Sequence, residues 1–197
     1  LEAEKPNVKL LVNAAGFGRF GSYHKVSISE ECRMIDLNCK ALVAMTRLTI
    51  PYMEKILRDE VPGAAKSHAL GNFRMAAGEE TGEFYGMVFQ DSDAAKWLEA
   101  VAYSLAVLPD PELEATADRL IDIIADAQDE TGYLNTYYTI KDRDKRWTNL
   151  LEGHELYCSG HMMEAACAYF DATGKRKLLD VMLRNAEHIY QHFIVEG

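Results

Sequence analysis

The stretch HELYCSGHMMEAACAYFDATG, residues 154–174, decides the fold. It reads as one helix ended by Gly174, because glycine enters the left-handed conformation of a helix C-terminus without steric cost. KRKLLDVMLRNAEHIYQHF, residues 175–193, supplies a second helix directly after it. Upstream, PDPELEATADRLIDIIADAQ (109–128) opens on Asp110 as N-cap and Pro111 at the first helical position. Its apolar face is Leu113, Ala117, Leu120, Ile121, Ile124 and Ala127, at helical spacing. DSDAAKWLEAVAYSLAVL (91–108) places Trp97, Leu98, Val101, Leu105 and Leu108 on one face, with Asp91 or Asp93 as cap. Between these pairs lies DETGYLNTYYTIKDRDKRWTNL (129–150), an aromatic-rich loop too long for a simple connector. Paired antiparallel helices around such a loop predict a mainly α array of helical hairpins. No repeated signature at a fixed period points to a solenoid instead.

Composition narrows the classes. Hydrophobic residues at 48% and charged residues at 26% are ordinary for a globular chain. No apolar run approaches the ~20 residues of a membrane span. The start, LEAEKPNVKL, lacks the basic head and apolar core of a signal peptide. Four cysteines (Cys32, Cys39, Cys158, Cys167) without a C-x-x-C pair fit reduced thiols and a cytoplasmic setting. A net charge of −10 disfavours nucleic acid or an anionic membrane as partner. That charge is uneven: up to Met53 there are seven Lys/Arg against five Asp/Glu, and afterwards 14 against 26. The shift marks a boundary near residue 53.

The N-terminal segment has a different grammar. NVKLLVNAAGFGRFG (7–21) carries a short apolar run, Val8 to Val12, then Gly16, Gly18 and Gly21. This suits a buried parallel strand followed by a flexible turn. SISEECRMIDLNCKALVAMTRL (27–48) opens on a Ser27/Glu30 capping box and continues with Met34, Leu37, Ala41, Met45 and Leu48 at helical spacing. Strand, glycine loop and helix make one piece of an α/β, Rossmann-like sheet. The residues leave a plain turn and a cofactor loop equally open. LLVNAAGFG followed by MIDLNCKALVAMTRLTIPYM resembles the middle of a short-chain dehydrogenase/reductase. The resemblance implies that Asn13, Ala15 and Gly16 lie beside an NAD(P) nicotinamide, with Ala14 in place of the usual second Asn, and that Asn38 is the helix Asn. That family's Ser and Y-x-x-x-K do not follow. Tyr137 and Lys141 have the spacing without the context, so hydride transfer is not expected.

Three chemical readings compete in the helical part. His154, Cys158 and His161 fall at i, i+4 and i+7, with Glu164 a turn later, and could offer N and S ligands to a metal. The pattern is not H-E-x-x-H, and capping histidines with a packed cysteine explain it as well. Asp91, Asp93 and Asp129 could supply the two carboxylates of a glycosidase, yet each also suits a cap or turn. Residues 50–106, AQDETGYLNTYYT (127–139) and RWTNLLEGHELYCSGHMMEAACAYFDATGKRKLLDV (146–181) closely resemble glycoside hydrolase family 127, the β-L-arabinofuranosidases.

That resemblance implies a partial (α/α)6 toroid, a glycan containing L-arabinofuranose as partner, and a substrate-contacting His154. His161 and Tyr133 would line or support the same cavity. In that family a zinc-bound Cys nucleophile and a Glu acid/base lie further downstream, and neither Cys158 nor Cys167 has the nucleophile's motif. No catalytic residue, metal ligand or bound cofactor is therefore expected in this chain, and uncovered helix faces would favour self-association. The expected division is residues 1–50, dehydrogenase-like, and 51–197, incomplete toroid, joined through TRLTIPYMEKILRDEVPG (46–63). A helical interaction module without catalysis is the remaining alternative.

Overall fold

The structure, a computed structural model, describes residues 48–55, 57–61 and 66–195, together with Ser27 and Ser29. The strand expected over 8–12, its glycine turn, and Asn13, Ala15, Gly16 and Asn38 lie outside the described residues. The chain divides into two compact units, Leu1–Met53 and Glu54–Gly197. In the first, residues 48–53 are helical.

From residue 66 onward the second unit carries six α-helices: α1 (Ala69–Ala76), α2 (Asp91–Val107), α3 (Pro111–Asp126), α4 (Thr136–Ile140), α5 (Glu155–Thr173) and α6 (Lys177–Tyr190). There is no strand among the described residues. α2 packs most extensively on α5, α2 contacts α3, α5 contacts α6, and α3 contacts α6. Two hairpins thus stand side by side, first helix on first and second on second. This is the repeating unit of an α/α toroid.

Sequence dictates the start of α3. Asp110 is extended (φ −143°), and its carboxylate accepts from the Glu112 and Leu113 amides at 3.2 and 3.1 Å, with Pro111 next to it. Leu113, Ala117, Leu120, Ile121, Ile124 and Ala127 are all buried, as their spacing predicts. In α2, Trp97, Leu98, Val101 and Leu105 are buried, but Leu108 is 51% exposed. It falls where the chain turns extended (φ −146°), so the helical face has ended one residue before it. Ala94, Ala95 and Ala102 of α2 and Ala165 and Ala166 of α5 are also buried. Such small side chains permit the close approach of two helices.

Two expectations are corrected here. Gln90, not Asp91 or Asp93, is the N-cap of α2, and no side chain caps it. Asp91 instead turns inward and is 5% exposed. Residues 129–150 are not one open loop, because α4 and a 3-10 turn at Arg143–Lys145 interrupt them. Tyr133, Leu134, Asn135, Thr136 and Tyr138 are buried, so this segment is a packed layer whose polar groups are largely satisfied internally.

Candidate functional site

The site is built at the start of α5. Gly153 precedes it with no room for a side chain: a Cβ there would sit 2.5 Å from both the Asn149 carbonyl and the Tyr138 hydroxyl. His154 follows in the left-handed conformation (φ 55°, ψ 18°) and turns the chain into the helix. Its Nδ1 is 2.6 Å from the Glu152 carbonyl oxygen. A carbonyl only accepts, so Nδ1 carries a proton, and in the neutral imidazole Nε2 is an acceptor. The ring lies 5.2 Å from Phe89 and 5.6 Å, edge-on, from Tyr157. Tyr157 in turn meets His161 edge-on at 4.6 Å, and its hydroxyl takes a hydrogen bond from Lys96 Nζ at 2.8 Å. His154 and His161 are half-buried and Tyr157 is 42% exposed, so the row is open on one side.

Cys158 does not join this row. It is 4% exposed, and burial pushes its thiol well above the ordinary range, with nearby Asp91 adding to the effect. A group held as a neutral thiol is neither a ready metal ligand nor a nucleophile. The N/S ligand set read from His154, Cys158 and His161 therefore does not assemble: His154 stands at the cap and Cys158 faces the interior. His161 Nδ1 lies 3.2 Å from Glu164 Oε2 instead.

Beneath the row is a buried polar network. Glu155, 2% exposed, accepts from the Tyr133 hydroxyl through Oε1 and from the Trp147 amide at 2.8 Å through Oε2. Burial raises the Glu155 carboxyl above its usual range, with the Tyr133 hydrogen bond opposing. Burial, then the Glu155 partner, pushes the Tyr133 phenol strongly upward, so it remains a donor. The Arg146 guanidinium sits 3.7 Å over the Tyr133 ring and donates to Asp129 at 2.7 Å and to the Thr139 hydroxyl at 3.0 Å. Trp147 Nε1 donates to His188 Nε2 at 3.3 Å, while His188 Nδ1 lies 3.2 Å from the Thr131 carbonyl. That arrangement fixes His188 neutral with its proton on Nδ1, and burial lowers its pKa accordingly. Tyr133 is 1% exposed. It holds Glu155, the first residue of α5, and presents no surface of its own.

The carboxylates considered for acid/base work are committed elsewhere. Asp91 takes both the amide (2.8 Å) and the hydroxyl of Thr136, tying α2 to α4. Burial raises its carboxyl to about 6 against the Thr136 hydrogen bonds. Asp93 accepts from Gln90 at 2.6 Å. Asp129 accepts from Thr131 and the Tyr133 amide within its own turn. Burial works against its charge, but hydrogen bonds from Thr131 and Arg146 hold it below the usual range. An open cleft of about 760 Å³, lined by Glu80, Asp126, Asp129 and Arg143 among others, contains none of His154, Tyr157 or His161 and no aromatic ring. The cleft and the row of rings around His154 are therefore separate features.

Sequence reading missed Phe89, Lys96, Glu155, Trp147 and His188. Only Glu155 left a signal, as a carboxylate directly after a candidate His. Phe89, Lys96 and His188 arrive from elements distant in sequence, and Trp147 from the preceding loop.

Comparison with known proteins identifies the family. The family model described as the β-L-arabinofuranosidase GH127 catalytic domain matches residues 37–195, beginning inside the segment read as dehydrogenase-like. A non-reducing end β-L-arabinofuranosidase of Bifidobacterium longum subsp. longum is 44% identical, over 73% of this chain and 24% of its own length. The crystal structure of a GH127 β-L-arabinofuranosidase from Geobacillus stearothermophilus T6 superposes with a TM-score of 0.75 at 59% identity, covering 76% of this chain and 24% of that one. The GH127 β-arabinofuranosidase BT3674 gives 0.66 at 32% identity, over 74% and 24%. The chain thus spans about a quarter of the relatives it matches. Mainly helical, with paired hairpins and this extent of match, it belongs to the GH127 β-L-arabinofuranosidase catalytic-domain family.

Proposed function

We propose that this chain supplies the first hairpins of an arabinofuranosidase toroid and contributes sugar-contacting side chains, without completing hydrolysis alone. The observation that carries the reading is the His154 imidazole. Its Nδ1–H is committed to the Glu152 carbonyl, leaving Nε2 as an acceptor for a sugar hydroxyl beside the rings of Phe89 and Tyr157. An acceptor fixed next to aromatic surface is the usual composition of a carbohydrate subsite. In this reading His161 props Tyr157, and Tyr133 anchors the layer beneath, holding Glu155 and so the first turn of α5.

Catalysis needs a nucleophile and an acid/base, and the residues first considered for those roles are otherwise engaged. Cys158 is a buried neutral thiol, and Asp91 and Asp129 are tied to Thr136 and Arg146. The zinc of the parent family would accordingly be held by residues other than these. The purified 197-residue chain is expected to release no aryl group from p-nitrophenyl β-L-arabinofuranoside, and measurable turnover would overturn the proposal. Residues 1–50 are proposed as a dehydrogenase-like fragment fused to residues 51–197. Genomic sequence read continuously across the codons for Met45 to Asp59 tests the fusion, and an interrupted frame there refutes it. That fragment is proposed to bind no NAD(P)H, so fluorescence quenching on titration would contradict this. Leu183, Tyr190 and Ile194, exposed at 53, 51 and 67%, are apolar surface through which copies are proposed to associate. A monomer by light scattering at all concentrations would contradict it.

A further inference from the structure

Glu99 on α2 and His161 and Glu164 on α5 bring their ligand atoms within 4.8 Å of one another. α2 and α5 are the most extensively packed pair, so the three side chains converge across the principal helix interface of the described unit. From this geometry we infer a divalent-cation site, Glu99–His161–Glu164, that clasps α2 to α5.

Three further observations support it. His161 Nδ1 is buried and makes no well-formed hydrogen bond, although Glu164 Oε2 is 3.2 Å away. Two ligands of a tetrahedral ion with bonds near 2.0 Å stand roughly 3.3 Å apart, so this separation is that of co-ligands. Next, no Lys or Arg forms an ion pair with Glu99 or Glu164 among the described residues. Lys96, one turn before Glu99, is occupied by the Tyr157 and Ser92 hydroxyls at 2.8 and 3.3 Å. Two carboxylates facing one imidazole without a basic partner leave negative charge that a cation neutralises. Last, Glu99 is already oriented, since the Tyr103 hydroxyl donates to its Oε1 at 2.9 Å. Outer partners of this kind set the direction of metal-ligating carboxylates.

The donor set is one imidazole nitrogen and carboxylate oxygens, which suits Zn²⁺ or Mn²⁺ over soft ions that prefer thiolate. Helical bundles also build metal sites from an imidazole and a carboxylate three residues apart together with carboxylates of facing helices, there in the order Glu-x-x-His. The site uses no cysteine; it shares His161 with the row of rings but does not depend on the sugar-binding reading.

Titrating the reduced, metal-free chain with ZnCl2 by calorimetry and thermal unfolding tests the inference. The expected result is one Zn²⁺ per chain and a Tm rise of about 5–10 °C at a hundredfold excess over Kd. His161→Ala and the isosteric Glu99→Gln should each weaken binding at least tenfold while leaving the metal-free Tm within about 2 °C, and Cys167→Ser should bind as the parent does. No Tm rise with Zn²⁺, or a rise retained in both His161→Ala and Glu99→Gln, overturns it.

Discussion

Replacing Asp91 by asparagine should change how stability depends on pH, because its carboxyl is buried. Asp91 is buried at the start of α2, and its carboxyl is raised from 3.8 to about 6. The folded state therefore holds the Asp91 proton more tightly than the unfolded chain does. The linked stabilisation is complete below the unfolded value and is lost as pH rises through the folded one. A displacement of about two pH units, at 1.36 kcal/mol each, amounts to about 3 kcal/mol. The substituted amide keeps the geometry: its carbonyl oxygen can accept from the Thr136 amide, and its NH2 can donate to the Thr136 hydroxyl. Urea unfolding of both proteins at about pH 4 and about pH 7.5 isolates the effect, because every other titrating group is common to both. The parent should lose about 2–3 kcal/mol relative to Asp91→Asn between the two pH values, with the loss nearly complete once pH passes the folded value. A stability difference independent of pH would refute the assignment of a buried, proton-holding carboxyl at position 91.

Tyr133→Phe leaves one oxygen of the buried Glu155 carboxyl without its donor and should cost about 1–3 kcal/mol by urea unfolding. Asp110→Ala removes the acceptor for two amides at the start of α3, for a loss of about 1 kcal/mol by the same assay. Protonation of His188 breaks the hydrogen bond it accepts from Trp147. Trp147 emission should therefore change as pH falls below 6.5, with a midpoint under that value, and His188→Gln should abolish the transition. The linked stability of the neutral His188 is present above the unfolded pKa and is lost as pH falls, so unfolding should become easier in the same window.

Helical hairpins were legible because their signals are local. Asp110-Pro111 sets a start, Gly174 sets an end, and the face from Leu113 to Ala127 follows the helical period without interruption. The face of α2 was legible except at its edge, where Leu108 kept the period although the backbone had already left the helix. Asp91 misled for a physical reason: an acid in the first turn satisfies the capping rule by identity, and only tertiary packing turns it toward Thr136, 45 residues away. The segment 129–150 hid its order in the same way. Its Asx turn at Asp129 and N-cap at Asn135 are local, but the partners that bury Tyr133 come from Arg146, Trp147 and His188. The His154, Cys158 and His161 spacing put all three on one helix face. It could not show that Tyr157, on the adjacent position of the helix, joins the two histidines while Cys158 turns inward.

In the proposed function, His154 presents a sugar-binding nitrogen beside the rings of Phe89 and Tyr157. Titrating methyl β-L-arabinofuranoside into the ¹⁵N-labelled chain while following the His154 ring resonances tests it most directly. Saturable shifts at His154 Nε2 are expected, with loss of sugar binding in His154→Ala and the fold intact by circular dichroism. Sugar binding of equal strength in His154→Ala, or no shift at His154 at any sugar concentration, would contradict it.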